Sequence, residues 1–216
     1  MATKRTQNLK NKRILITAGP TWVPIDKVRV ISNIATGETG ILLAEKLKDL
    51  GAKVTLLLGP IETCFLNKKI KLIRFRFFNE LKNIMIKELK FRKYDIIIHS
   101  AAISDYKPAK TYSYKVKSGI KHWQLNLIPT EKIIDLLKRI DSSLFLVGFK
   151  FEWDTDKDKL IEKAKILMQH ANLDLTVANT IKKNEYQAYI ISQKQTYGPI
   201  FSKNNLVDRL IKEIAG

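Results

Sequence analysis

The chain has 216 residues, of which 45% are hydrophobic and 28% charged, so it can bury a core and has the composition of a globular rather than a disordered protein. A single cysteine, Cys64, excludes an intrachain disulfide; the chain also lacks a ~20-residue apolar span and the apolar core of a signal peptide, so we expect a cytoplasmic protein. The 39 lysine and arginine residues outnumber the 21 acidic ones, and the net charge of +18 attracts phosphates of nucleotides, phosphorylated metabolites or nucleic acid.

Short apolar runs alternate along the chain with amphipathic stretches, which is the pattern of an α/β domain. The predicted strands cover residues 13–17, 53–58, 71–75, 95–99, 144–149 and 175–178, and the predicted helices cover 37–50, 79–89, 131–139, 156–171 and 203–214. Most of these strands lack alternating polarity, which is typical of strands covered by helices on both faces. The pattern therefore predicts a Rossmann-like, doubly wound, mainly parallel sheet.

Two regions do not fit this alternation. Residues 106–129 contain the short alternating runs "YSYKVK" and "HWQLNL" around "SGIK", which predict an inserted hairpin flap after the fourth strand. Residues 186–192 predict a strand of a final antiparallel hairpin at the margin of the sheet. With no repeat or low-complexity linker, we expect one domain at 12–216 and a flexible tail at 1–11.

The loop after the first strand, within "ITAGPTWVPIDKVRVISNIATGETG", is rich in glycine and other small residues. In a doubly wound sheet, ligands bind beyond the carboxyl ends of the strands, where helix amino ends present free N–H groups to anions. The loop therefore predicts a site for a phosphorylated ligand. It is neither a P-loop nor a Gly-x-Gly-x-x-Gly loop, and its glycines would also be explained by turns alone.

Five ordered motifs, "LITAGPTWVPIDKVRVISNIATGETG", "HSAAISDYKPAK", "YKVKSG", "VGFKFE" and "DLTVANT", resemble those of phosphopantothenate–cysteine ligases of coenzyme A biosynthesis. The resemblance runs from residue 12 to the C-terminus. Many bacterial members are fused behind a flavin-dependent decarboxylase. Since nothing precedes residue 12 except the short tail, we expect a free-standing ligase that binds no flavin.

The resemblance implies a ligation in two steps. The carboxylate of 4′-phosphopantothenate attacks the α-phosphate of a nucleoside triphosphate, and the cysteine amine then displaces the nucleotide from the acyl-nucleotide. We expect CTP with Mg²⁺, giving an acyl-cytidylate, because the short form and the "AGPT…PID" loop are typical of bacterial members. The "FK" at 149–150 is shared with eukaryotic members, which use ATP.

The resemblance also implies roles for residues in the first loop. Asn33 matches the asparagine at the acyl end of the intermediate, although the local sequence alone favours a loop-capping asparagine. The segments near the phosphates and substrate match Gly19, Thr21, Thr36 and Gly37. Glu38 stands where the family usually has lysine, and a carboxylate is unexpected there.

The later motifs imply the nucleotide pocket and the flap lysine. Main chain bordering the base matches Ala101, Ala102, Ile103 and Gly148, with Phe149 as the aromatic of the pocket. Asp105 matches a carboxylate near the ribose or the triphosphate-bound Mg²⁺, although a helix-capping aspartate would fit the local sequence equally well. Lys115 matches the lysine that closes over the reacting groups, and Lys117 lies on the same strand face. Both lysines would otherwise be taken as solvated.

One departure concerns two phosphate-binding lysines on a helix of the fused enzymes. Leu167 and Ala171 stand at those positions, and Lys150 is our candidate substitute because it adjoins the pocket. We also expect a homodimer, since the flap places Trp123, Leu125 and Leu127 on alternating positions of one face.

Two other functional classes share some of these features. A nicotinamide-dependent reductase would need the dinucleotide glycine fingerprint, which is absent, and its Tyr-x-x-x-Lys pair occurs only at Tyr106 and Lys110 in the flap. A nucleic-acid-binding protein would account for the charge, but no basic run exceeds three residues. The resemblance therefore makes the ligase the preferred hypothesis and nucleic acid a less favoured partner.

Overall fold

The computed structural model describes residues 9–61 and 69–216. Cys64 and the first eight residues of the predicted tail lie outside the described residues. Leu9, which the sequence places in the tail, is 2% exposed and belongs to the same buried cluster as Leu43 and Leu47. The folded domain therefore begins no later than Leu9, earlier than the predicted boundary at residue 12.

The strands, in chain order, are β1 (Arg13–Ala18), β2 (Trp22–Pro24), β3 (Val30–Ser32), β4 (Lys53–Leu58), β5 (Lys71–Arg74), β6 (Ile96–His99), β7 (Tyr106–Pro108), β8 (Leu127–Pro129), β9 (Phe145–Trp153), β10 (Leu175–Lys182), β11 (Glu185–Ile191) and β12 (Thr196–Ile200). The helices are α1 (Glu38–Asp49), α2 (Phe78–Phe91), α3 (Ile133–Ile140), α4 (Lys157–His170) and α5 (Lys203–Ala215).

Eight of these strands form the central sheet, in the order β12-β11-β10-β9-β6-β1-β4-β5. The strands from β10 to β5 are parallel, while β11 and β12 add antiparallel pairs at one edge. This arrangement confirms the predicted Rossmann-like, mainly parallel sheet. Strands β9 and β10 are longer than predicted because their pairing continues to Trp153 and Ile181, beyond the part of the core that the apolar runs mark.

Helices cover both faces of the sheet. On one face, Leu43 of α1 and Leu210 of α5 share a buried cluster with Ile16 of β1. On the other, α2, α3 and α4 pack over a cluster that includes Leu81 and Leu160. Burial on both faces explains why the inner parallel strands read as continuous apolar runs, whereas the edge strand β5 is largely exposed. In the described part of the chain, no helix is both long and apolar enough to cross a membrane.

The flap differs from its prediction in where the strands lie. The sequence predicts strands in "YSYKVK" and "HWQLNL", whereas the observed pair is β7 with β8, at the base of the insertion. The reason is that backbone donors of the first run bond outside the flap. The Tyr112 N–H donates to the Ile25 carbonyl at 3.0 Å and the Val116 N–H to Asp26 Oδ2 at 3.1 Å. The predicted hairpin ladder is therefore replaced by docking onto the first loop.

Candidate active site

The candidate site lies where the strand order of the sheet reverses. From β1 the chain continues through β4 and β5 on one side, and then crosses to β6 on the other side. In open α/β sheets, ligands bind beyond the carboxyl ends of the strands at such a point. The loops after β1 and β6 both begin there, and they contain most of the residues to which the resemblance gives a role.

Two glycines bring the first loop against the start of α1. Gly19 and Gly37 have φ values of +79° and +71°, a left-handed conformation that favours glycine. A Cβ on Gly37 would lie only 3.1 Å from the Gly19 nitrogen. The glycines are thus required for the turns. Because they have no side chains, the amino end of α1 lies directly beside the backbone of Gly19. Phosphate binding here remains a prediction.

Backbone bonds join the loops after β1 and β6. The Ala102 N–H donates to the Gly19 carbonyl at 2.9 Å, and the Thr21 N–H donates to the Ala102 carbonyl at 3.2 Å. The Ser104 N–H donates to Thr21 Oγ1 at 2.9 Å, with both side chains buried. The main chain around Ala102 is therefore held firmly, but both backbone polar groups of Ala102 are already bonded within the junction, so its contact with a base stays a prediction.

A buried histidine supports the same junction. Thr17 Oγ1 accepts the Ala101 N–H at 3.2 Å, so its own proton is available to His99 Nδ1 at 2.9 Å. Burial lowers the pKa of His99 to about 4, and the ring is neutral at pH 7. His99 is therefore a buried, neutral side chain that hydrogen-bonds to Thr17 beneath the loop.

Asn33 connects the acyl end of the predicted site with the predicted base pocket. Its Nδ2 donates to the Ile103 carbonyl at 2.9 Å, and its side chain is exposed. The bond joins two residues that are 70 positions apart. The structure therefore brings together the two motifs to which the resemblance assigns the reacting group and the nucleotide.

The two acidic residues of the site each have a cationic partner. Asp105 is exposed and forms an ion pair with Lys132, which the sequence did not single out. Glu38, unexpected beside a phosphate site, forms an ion pair with Lys203 of α5. The Glu38 N–H also contacts Thr36 Oγ1 at 3.4 Å. The lysine partner explains how a carboxylate is tolerated at the start of α1.

The flap is attached to the first loop through a buried carboxylate. Asp26 accepts the N–H groups of Val28 at 2.8 Å, Arg29 at 2.8 Å and Val116 at 3.1 Å, and Arg29 Nη1 at 2.6 Å. Burial alone would raise the pKa of Asp26, but these donors outweigh it and lower the pKa to about 2. The guanidinium of Arg29 also lies 5.1 Å from the ring of Trp123. Asp26 therefore binds the flap as an ionised group.

The sequence did not identify Asp26 and Arg29 as a docking element. Their spacing in "PIDKVR" predicts a local ion pair. The contact between Asp26 and Val116, in contrast, spans 90 positions of the chain. Lys115 and Lys117 flank the buried Val116, and both are exposed. The flap lies beside the first loop, but Lys115 is not placed against Asn33. The catalytic role of Lys115 therefore stays a prediction.

The middle of β9 contains the other predicted pocket residues. A Cβ on Gly148 would lie 2.5 Å from Leu173 Cδ1, so glycine makes room for the core there. Phe149 is partly buried against the core. Lys150 Nζ lies 2.9 Å from Glu152 Oε1, and that carboxylate also binds Lys163 at 2.7 Å. The proposed phosphate role of Lys150 therefore competes with an existing ion pair.

Curated relatives share most of this chain but extend beyond it. The chain is 35% identical over 213 residues to the coenzyme A biosynthesis bifunctional protein CoaBC of Thermococcus kodakarensis, covering 96% of this chain and 52% of that protein. It is 39% identical over 175 residues to a cysteine/cysteine sulfinic acid decarboxylase from an unknown prokaryotic organism, covering 81% and 47%. The chain thus spans about half the length of these relatives.

Solved structures share the fold. The DNA/pantothenate metabolism flavoprotein from Streptococcus pneumoniae superposes with a TM-score of 0.83 at 25% identity, covering 94% of this chain and 98% of that one. A Cab2 mutant in complex with phosphopantothenate-cysteine gives a TM-score of 0.75 at 19% identity, covering 98% and 92%. Residues 9–216 match the model of the DNA/pantothenate metabolism flavoprotein C-terminal domain, and the chain belongs to that family.

Proposed function

We propose that this chain is a phosphopantothenate–cysteine ligase of coenzyme A biosynthesis. The observation that carries the proposal is the bond from Asn33 to the Ile103 carbonyl, because it joins the two motifs that the reaction requires at one point of the fold. The relatives named for coenzyme A biosynthesis and the Cab2 complex with phosphopantothenate-cysteine support the same substrate class.

The first proposed step activates a carboxylate. A free carboxylate is a poor electrophile, so the carboxylate of 4′-phosphopantothenate attacks the α-phosphorus of the triphosphate and pyrophosphate leaves. The enzyme must bring two anionic groups together and neutralise their charge. Backbone near Gly19 and Gly37 and the amino end of α1 would face phosphates, and the main chain of residues 101–103 would face the base.

The second proposed step forms the amide. The amine of cysteine attacks the carbonyl carbon of the acyl-nucleotide and loses a proton to solvent, and the nucleoside monophosphate leaves with the electrons of the broken C–O bond. Asn33 supplies an amide donor and acceptor to orient the carbonyl. Lys115 supplies a positive charge that would stabilise the developing oxyanion and the α-phosphate when the flap lies over the site.

We further propose CTP as the nucleotide, with Mg²⁺ bound to its phosphates. Within the described residues, no group of three or more His, Cys, Asp or Glu side chains could hold a metal. A triphosphate-bound Mg²⁺ needs only one or two protein carboxylates, which fits a single residue such as Asp105. The ion would neutralise charge on the triphosphate.

The deciding experiment measures pyrophosphate release with 4′-phosphopantothenate and each of the four triphosphates, with and without cysteine. We expect a first turnover without cysteine, since activation precedes amide formation, and mass spectrometry should detect the acylated nucleotide. Continued turnover should need cysteine and yield phosphopantothenoylcysteine. No release with any nucleotide would refute the ligase, whereas equal or faster turnover with ATP would refute only the choice of CTP.

A homodimer in the cytoplasm completes the proposal. Leu127 and Ile128 at the base of the flap are 47% and 41% exposed, which leaves apolar surface for a second copy. Trp123 contributes less to that surface than its position predicts, because it lies against Tyr112 and Arg29 of the same chain. Sedimentation at micromolar concentration should show dimers, and monomers alone would contradict this part of the proposal.

A further inference from the structure

A basic groove lies at the edge of the sheet opposite to the candidate active site. It has a volume of about 600 Å³ and forms where the amino ends of β1, β4 and β5 meet the last turns of α1 and α2. Seven of its eleven lining residues are lysine or arginine, and none is acidic. The six residues of β1 separate this edge from the active-site loops by about 20 Å.

Two of the basic residues are register partners. Arg13 of β1 is paired with Lys53 at the start of the neighbouring strand β4. Neighbouring strands are about 4.8 Å apart, and like charges at opposing positions repel. In the part of the chain that the structure describes, the side chains of Arg13 and Lys53 form no ion pair, but Asp95 accepts the backbone N–H of Arg13 at 2.7 Å. Hydrogen bonds from Ser143 and, to a smaller extent, the charge of Lys93 lower the pKa of Asp141. A bound anion would relieve this repulsion.

A single carboxylate holds two further cations in place. Glu88 is 9% exposed, and its carboxylate lies 2.9 Å from Lys71 Nζ and 3.2 Å from Arg92 Nε. The Tyr94 hydroxyl donates to the same carboxylate. One negative charge shared by two cations leaves this wall of the groove positive and limits the freedom of both side chains. The wall is therefore preorganised to receive an anion.

An exposed aromatic ring accompanies these charges. Phe91, the last residue of α2, lines the groove and is 79% exposed, directly before Arg92 and Lys93. An aromatic face beside a row of cations in an open groove matches the way in which proteins hold single strands, by stacking on bases and contacting phosphates. In a duplex the bases are already stacked and hidden from such a ring.

We propose that this groove binds single-stranded nucleic acid, with Arg13, Lys53 and Lys93 contacting phosphates and Phe91 stacking on a base. The site is separate from the ligase site and does not depend on the proposed function. The ligand that fits this groove is a polyanion with exposed bases, because a ligand made only of phosphates would leave the ring of Phe91 in water.

The test is fluorescence anisotropy with a labelled 12-nucleotide oligouridylate across a range of sodium chloride concentrations. The combined variant Arg13→Gln, Lys53→Gln, Lys93→Gln should weaken binding about tenfold or more at low salt and lower the salt slope by about 2. The matched control, Lys183→Gln, Lys194→Gln, Lys212→Gln, removes the same charge from exposed positions elsewhere and should weaken binding about twofold at most. Phe91→Ala should weaken binding about fivefold or more through lost stacking.

Several results would overturn the proposal. Equal weakening by the two triple variants would show that only the total charge matters. An unchanged affinity of Phe91→Ala, together with equal competition by inorganic polyphosphate, would show that the groove recognises no nucleic acid. Circular dichroism and pyrophosphate release should stay normal in all these variants. If the triple variant fails to fold, Lys93→Gln alone, at an exposed loop position, should still weaken binding about twofold to threefold.

Discussion

Lys115 and Lys117 flank the buried Val116, and burial does not distinguish them because both are exposed. The family motif selects Lys115. The substitution Lys115→Gln keeps most of the length and removes the charge that would stabilise the transition state more than the substrates. We expect turnover to fall about a hundredfold or more, with CTP binding weakened much less. Single-turnover pyrophosphate release at saturating substrates measures the first quantity and equilibrium titration the second.

The matched control is Lys117→Gln, which removes the same charge two residues away from Lys115. We expect this variant to keep nearly full turnover. If the basic surface near the flap mattered only in general, both variants would lose turnover alike. If Lys117→Gln were the inactive variant, the register of the flap motif would be wrong. The catalytic assignment of Lys115 would then be withdrawn.

Asn33 has two separable contributions, one to the structure and one to the reaction. Its side chain is exposed and makes a hydrogen bond to the Ile103 carbonyl, whose loss typically costs about 1 kcal/mol of stability. We expect Asn33→Ala to change the free energy of unfolding by no more than about this amount while turnover falls about a hundredfold. Urea unfolding and pyrophosphate release make the comparison. Near-normal turnover would support the loop-capping role that the local sequence also allows.

At the scale of secondary-structure elements, the sequence predicts those elements whose signal lies in a local pattern of residues. The apolar runs identify all six parallel strands, and burial on both faces explains the continuous signal of the inner ones, whereas the edge strand β5 is largely exposed. The flap is different, since its short runs carry the alternation of a hairpin while their backbone donors bond to Ile25 and Asp26. Those partners are supplied by a loop far away in the chain, so no local pattern contains them.

The docking of the flap should depend on Asp26 and on pH. The folded-state pKa of Asp26 is lowered to about 2, so between about pH 2 and 4 the unfolded chain binds more protons than the folded one. The stabilisation by Asp26 is therefore complete above about pH 4 and is lost as the pH falls towards 2. Asp26→Asn should make the flap sensitive to proteolysis at pH 7, reduce turnover, and flatten the pH dependence of unfolding in this window.

The control for that prediction is Asp208→Asn, which breaks an exposed ion pair between Asp208 of α5 and Lys46 of α1. Surface ion pairs of this kind contribute little to stability. Proteolysis of the flap and turnover should therefore stay close to those of the unchanged protein. Equal sensitivity of both variants would contradict a specific docking role for Asp26.

At the scale of the whole molecule, the net charge of +18 is visible in the sequence but its distribution is not. The basic residues of the groove come from β1, α1, β4, the turn before β5, β5 itself and the loop after α2, with no long basic run that marks them. The sheet gathers them because parallel strands place all their amino ends at one edge. The loops of the candidate active site meet at the other edge for the same reason, so the order of the strands predicts which edge they share. The contacts of Asp26 depend on a distant segment and follow from no such rule.

The concentrated charge has a consequence for stability. If Arg13 and Lys53 repel across neighbouring strands, the variant Arg13→Gln, Lys53→Gln, Lys93→Gln should melt about 1 to 3 °C higher than the unchanged protein at low salt. The triple variant at Lys183, Lys194 and Lys212 removes the same net charge and should shift the melting temperature less. Because salt screens such repulsion, the difference between the variants should disappear near 0.5 M sodium chloride, where the Debye length is only about 4 Å. Scanning calorimetry at several salt concentrations makes this comparison, and equal shifts in both variants would mean that the repulsion is spread over the whole surface.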